Sequence, residues 1–220
     1  MATREVGVHI PDGILPAPVC AAGYAIAGGV TWAALRQINR TAASPAEVPK
    51  AALLAAAVFV GSSLSLPIPP VSVHLMLTGL LGALLNWYAW PAILIGLLLQ
   101  AILLGHGGLT TLGVNAVMAG VPALLAGQLF RLRHRLAKAL SPRAALGIFS
   151  FLAGALGVGL TALIFFGLVV FTMPSTFDPA TEQNLLTAFM VAHIPLVFLE
   201  GLFTALLCFF LLRVKPDLLK

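Results

Sequence analysis

Of the five histidines in this 220-residue chain, four could share one chemistry. His9 lies in "VGVHIPDGIL", His74 follows "LPIPPVSV", His106 sits in "LGHGGL", and His193 stands in the apolar stretch "AHIPLVFLEG". Imidazole binds nickel, cobalt, copper and zinc in its neutral form, so a near-neutral medium suits capture of such an ion. His74, beside a proline turn, reads as a metal ligand. His106, flanked by glycines, reads equally as a ligand or as a residue bonding its own loop, and His193 leans to a structural hydrogen bond. Glu200 is the one carboxylate within an apolar run, seven residues past His193 and so about two helical turns along nearly the same face. An ionisable group there faces a bundle interior or a water-filled cavity. It is a step on a metal path, a helix-locking acceptor, or a protonated or paired acid fixing the bundle.

The arm around His9 has a definite chemistry of its own. Pro11 biases the residue before it toward extended backbone, which keeps "HIPD" out of a helix. Were His9 the second residue of a mature chain, the free amine, the His9 peptide nitrogen and its Nδ1 could chelate one ion in fused rings. Three nitrogens in a plane plus a fourth suit Ni(II) or Cu(II), and His74 is the natural fourth ligand. As numbered, His9 is not second. Val8, however, can be written by GTG, an alternative bacterial start codon decoded as methionine, so translation from Val8 is expected to give a Met-His-Ile-Pro-Asp-Gly start.

These residues must be positioned by membrane helices. The chain is 60% hydrophobic and 9% charged, with a mean hydropathy of +1.04, far from the roughly 25% charge of soluble domains. Seven apolar runs can be drawn, at 17–35, 51–66, 73–85, 88–104, 109–130, 144–173 and 185–212. The third is short for a span and must tilt into its neighbours or be shielded from lipid. Arg36, Arg40 and Lys50 fall between the first two runs, Arg131, Arg133, Arg135, Lys138 and Arg143 between the fifth and sixth, and Arg213, Lys215 and Lys220 after the last. With those segments cytoplasmic, as basic loops prefer, 11 of the 12 Lys and Arg lie inside and only Arg4 outside.

The expected fold is an all-α integral membrane domain over 1–220, with about seven transmembrane helices, the N-terminus outside and the C-terminus cytoplasmic. Residues 1–15 are its extracytoplasmic arm. No apolar core precedes a small-residue cleavage site, so the first helix is expected to insert the chain. The topology gathers His9, His74, His106 and His193 in the outer half and leaves only His134 inside.

Several functions are excluded or disfavoured. Cys20 and Cys208 lie in apolar runs without CxxC spacing and read as small buried hydrophobes. The net charge of +5 follows from topology and does not point to nucleic acid. There is no GxxxxGK[ST] motif, so ATP hydrolysis would fall to partners, and no HExxH motif for a membrane metalloenzyme. An aromatic vitamin pocket on the outside is disfavoured because Trp32, Trp87 and Trp90 map nearer the cytoplasmic side. A stand-alone permease is separable by whether transport survives without ATPase partners.

"HIPDGIL" at 9–15, "VHLMLTGLLGALL" at 73–85, "LLLQAILLGHGGLTTLGVNAVMAG" at 97–120, "AHIPLVFLEGLFTALL" at 192–207 and "RVKPDLL" at 213–219 occur in one order along nearly the whole chain. In these stretches it resembles the CbiM/NikM substrate-binding subunits, or S components, of energy-coupling-factor cobalt and nickel transporters. The resemblance implies a metal held by the N-terminal amine, the backbone nitrogen and side chain of a second-position histidine, and a histidine near the third helix. Those roles carry over to Val8, His9 and His74. It also implies a membrane coupling (T) protein, a cytoplasmic ATPase pair and often a small accessory membrane subunit as partners. No resident cofactor is implied; Co(II) or Ni(II) is the transported substrate, and the setting is a bacterial or archaeal cell membrane. The approach to His74 reads "PPVSV" where the family carries a glycine-bearing one.

Overall fold

The computed structural model describes residues 9–41, 47–62, 65–68, 71–136, 140–172 and 179–219. Their α-helices are α1 (Ala17–Arg40), α2 (Glu47–Ser62), α3 (Thr78–Leu85), α4 (Ala89–Leu99), α5 (Leu112–Leu136), α6 (Pro142–Thr172) and α7 (Pro179–Val214). Helices dominate, as expected, with one addition: strands β1 (Ser65–Ile68) and β2 (Val71–His74) pair antiparallel, Ser65 opposite His74. Residues 66–68, expected as part of a rigid proline turn, are therefore strand, and His74 closes a hairpin.

Five segments are long and apolar enough to cross a membrane: α1, the combined Thr78–Leu104, α5, α6 and Leu186–Val214 of α7. α2 has 16 residues. α3 and α4 correspond to the third and fourth apolar runs but follow one another within a single apolar segment. Asn86, at φ 53°, ends α3, and asparagine is among the side chains that tolerate positive φ. The helix termini also run past the apolar runs. Arg36 and Arg40 belong to the end of α1, Arg131, Arg133 and Arg135 to the end of α5, and Arg143 to the first turn of α6. Long basic side chains extend helices this way because their stems lie on apolar surface while the charge reaches water.

α3 is the buried centre of the bundle, with seven of its eight residues inside. Gly79 and Gly82 make this possible. A Cβ on Gly79 would collide with the α6 backbone at Ala153 and Gly154, and one on Gly82 with the Ala123 carbonyl of α5. Absent side chains let backbones meet, the mode of helix packing that lipid favours. One core, around Leu81, Trp90, Ala123, Phe130 and Phe149, joins α3 to α4, α5 and α6. A second contains Ile10, Leu15, Met76, Val114, Met118, Phe165, Phe189 and Leu196, and so ties the arm to α5, α6 and α7. The outward helix faces carry Trp32, Leu53, Phe171 and Ile194 in exposed positions. An apolar surface of this extent has a stable solvent only in hydrocarbon. Cys20 and Cys208 are free thiols; Cys208 is buried as expected, while Cys20 is only partly so.

Candidate metal centre

The arm is strapped to the start of α5 by side chains that satisfy its backbone. Asn115 accepts the Ile10 N–H on Oδ1 at 3.0 Å and donates from Nδ2 to the Ile10 carbonyl at 3.0 Å, and Thr111 Oγ1 donates to that carbonyl at 2.6 Å. One amide thus serves both main-chain polar groups of a residue carried into the interior, where an unpaired group is costly. Ile10, 2% exposed, anchors the strap hydrophobically. Asp12 forms the second fastening. Its carboxylate accepts the Leu109 N–H at 3.1 Å and the Thr110 N–H at 2.7 Å, and the Thr110 hydroxyl donates to it at 2.5 Å. These bonds, led by the hydroxyl, hold the Asp12 carboxyl below its ordinary pKa, since each favours the charged form.

The glycines of "GHGG" allow this fit. Gly107 has φ +79° and faces the Asn115 amide and His9 Cβ, and a side chain on Gly108 would displace Asp12. Tyr24 of α1 donates its hydroxyl to the Leu109 carbonyl, fixing the loop from the other side.

With the arm fastened, His9 meets His74. Their ring centroids are 5.1 Å apart with 40° between the planes. Two imidazoles sharing one ion at metal–nitrogen bonds of about 2 Å place their centroids roughly 4.5–6.5 Å apart. The observed pair lies in that window. His74 is buried, and among the described residues its Nε2 has no hydrogen-bond partner, although buried polar atoms are nearly always paired. Val8 lies outside the described residues.

Burial, then the neighbouring His74 and His106, lowers the His9 pKa to about 3. Burial, then His106 and His193, lowers that of His74 to about 4. Both rings are therefore neutral at pH 7, the form that binds metal. The unfolded chain, with histidines near 6.5, takes up protons as pH falls below that value while the fold does not, so acid favours release of the arm. Thermal stability of the metal-free protein is expected to fall between pH 7 and pH 5. A His9→Ala/His74→Ala double variant should lose most of that slope, and an unchanged slope would contradict the burial of the pair.

The other candidates separate. His106 is exposed on its loop, close enough to act electrostatically on both rings. His193 engages the Phe189 carbonyl through Nδ1 at 2.8 Å, stacks 4.0 Å from the Phe189 ring, and keeps a buried Nε2 without a partner among the described residues. Glu200, fully buried, accepts the backbone N–H groups of Met76 and Leu77. That is the helix-locking alternative among those the sequence leaves open. No group of three or more His, Cys, Asp or Glu gathers into a site among the described residues. Asn115, Thr110 and Thr111 hold the arm in place, and in the sequence only an amide and two hydroxyls at the start of an apolar run mark them.

The fold is thus a helical membrane bundle whose N-terminal strap brings two histidines together. The family described as "CbiM: Cobalt uptake substrate-specific transmembrane region" matches residues 9–218. The chain belongs to the CbiM family, and it is a multi-pass membrane protein. It is 34% identical to the cobalt transport protein CbiM of Geobacter sulfurreducens over 96% of this chain and 61% of that one. It is 37% identical to a fused nickel transport protein NikMN of Rhodobacter capsulatus over 58% of this chain and 38% of that one. The match thus spans less than two thirds of either relative. A crystal structure of a truncated transition metal transporter superposes with a TM-score of 0.73 at 26% identity, covering 94% of this chain and 99% of that one.

Proposed function

We propose that the chain is the substrate-capture subunit for Co(II) or Ni(II) of an ATP-driven energy-coupling-factor transporter. The observation that carries this reading is the His9–His74 pair, brought to 5.1 Å by an arm fastened through Asn115 and Asp12. The ion is bound by His9 through ring and backbone nitrogen, by His74, and by the terminal amine of residue 8 once translation starts at Val8. His106 and His193 stand near this site as lower-ranked ligands. Seven membrane helices place the arm outside the bacterial or archaeal cell membrane and the C-terminus in the cytoplasm, and residues 1–220 act as one domain. The subunit is not an enzyme. A coupling membrane protein and an ATPase pair supply the energy, with a small accessory membrane subunit in some assemblies; the fused nickel relative supports such membrane partnership.

Metal accumulation by cells tests this directly. Expression with the coupling protein and ATPase pair is expected to give ATP-dependent uptake of nickel or cobalt, and omission of the ATPases to reduce it to background. Full uptake by the chain alone would make it a permease and overturn the reading.

A further inference from the structure

Glu200 sits on α7, fully buried, 124 and 123 positions from its partners Met76 and Leu77 in sequence. Its Oε1 accepts the Met76 N–H, and the Leu77 N–H lies 2.9 Å from Oε2 and 3.1 Å from Oε1. Leu77 has φ 53° and precedes the first residue of α3. A leucine enters the left-handed region only under outside constraint. The carboxylate supplies that constraint: it faces the N-terminus of α3, where unpaired N–H groups and the positive end of the helix dipole favour an anion.

The segment it holds begins two residues after His74, the end of β2, and β2 packs against α7. The support behind the carboxylate is stiff. A Cβ on Gly154 of α6 would strike the Glu200 carbonyl and the Thr204 hydroxyl, and one on Gly157 would strike Gly79 and the Thr78 hydroxyl, so α3, α6 and α7 meet there backbone to backbone. The ring of His74 takes its place from a main chain pinned by this acid, while His9 takes its place from Asn115 on α5 and Thr111 just before it. The two halves of the pair are thus set by different helices.

We propose that Glu200 is the positioning residue for His74: its carboxylate locks the 75–77 backbone and so sets the distance between His74 and His9 at which the ion is captured. The inference rests on the reading of His9 and His74 as ligands.

Nickel(II) titration in detergent of the form that begins with Met in place of Val8 tests it, with ligand-field absorption of the bound ion and helix content recorded for the unsubstituted protein, E200Q, E200A, H74A and E200A/H74A. Groups that orient metal ligands are worth about 10- to 100-fold in affinity, and E200A is expected to lose that much, with a shifted absorption band and helix content retained. E200Q keeps one oxygen that can accept both N–H groups and should fall between. The double variant should bind no more weakly than H74A, because positioning matters only while the ring is present. Wild-type affinity and spectrum in E200Q and E200A, or a loss that adds in full to that of H74A, would overturn the proposal. Should E200A fail to fold, E200Q decides alone, and unchanged binding by E200Q overturns it. Equal binding by wild type and H74A would overturn the ligand assignment beneath it, an outcome distinct from the others.

Discussion

Replacing His74 by alanine is expected to lower Ni(II) affinity by at least about 100-fold, beyond the 10- to 100-fold that orienting groups are worth in metal sites. His74 contributes a neutral imidazole whose buried Nε2 lacks any protein partner among the described residues, opposite His9 at 5.1 Å. Its removal takes away a ligand donor and leaves the rest of the bundle intact, because the two cores are built from other side chains. Helix content and thermal unfolding of the metal-free protein should stay close to wild type. Calorimetric titration of His74→Ala in detergent measures the loss. Affinity within threefold of wild type would remove His74 from the ligand set.

Asn115→Ala should have the second largest effect. The substitution leaves the buried Ile10 N–H without its acceptor and the Ile10 carbonyl with Thr111 alone. A buried polar group left unpaired costs about 1–3 kcal/mol, and 2 kcal/mol corresponds to a roughly 30-fold smaller equilibrium constant for docking the arm. Metal affinity is expected to fall by up to that factor, since a site assembled only in the docked state loses affinity in proportion to the docked fraction. Asp12→Ala should cost less although it removes as many hydrogen bonds, because Asp12 and Thr110 are exposed and water replaces what is lost. Limited proteolysis of the arm, read beside nickel titration, separates the two variants. An Asn115→Ala protein with a protected arm and full affinity would contradict the strap.

The chemistry of the site was legible where it resides in rare residue types. Histidine and carboxylate are conspicuous in a chain that is 60% hydrophobic, so His9, His74 and Glu200 stand out from sequence. The contacts that arrange them were less legible for a physical reason: one partner in each is the main chain. Asn115 reads Ile10 and Glu200 reads Met76 and Leu77 through backbone groups that every residue carries. Sequence marks such an acceptor as costly to bury without marking what it accepts. The short third apolar run left tilting and shielding by protein both open; α3 is buried over seven of its eight residues and continues into α4 within one apolar segment. The β1–β2 hairpin was missed because Pro67 removes a ladder donor and reads as a turn, although proline is tolerated on the outer side of an edge strand.

Metal binding by two forms of the protein tests the central claim most directly, one beginning with Met in place of Val8 and one with all residues from Met1, each titrated with Ni(II) and Co(II). Only the first puts a free amine beside His9, where it completes the fused chelate. The account predicts tight binding by the short form alone, abolished by His74→Ala. Equal affinity in both forms would contradict a terminal-amine ligand and with it the capture site described above.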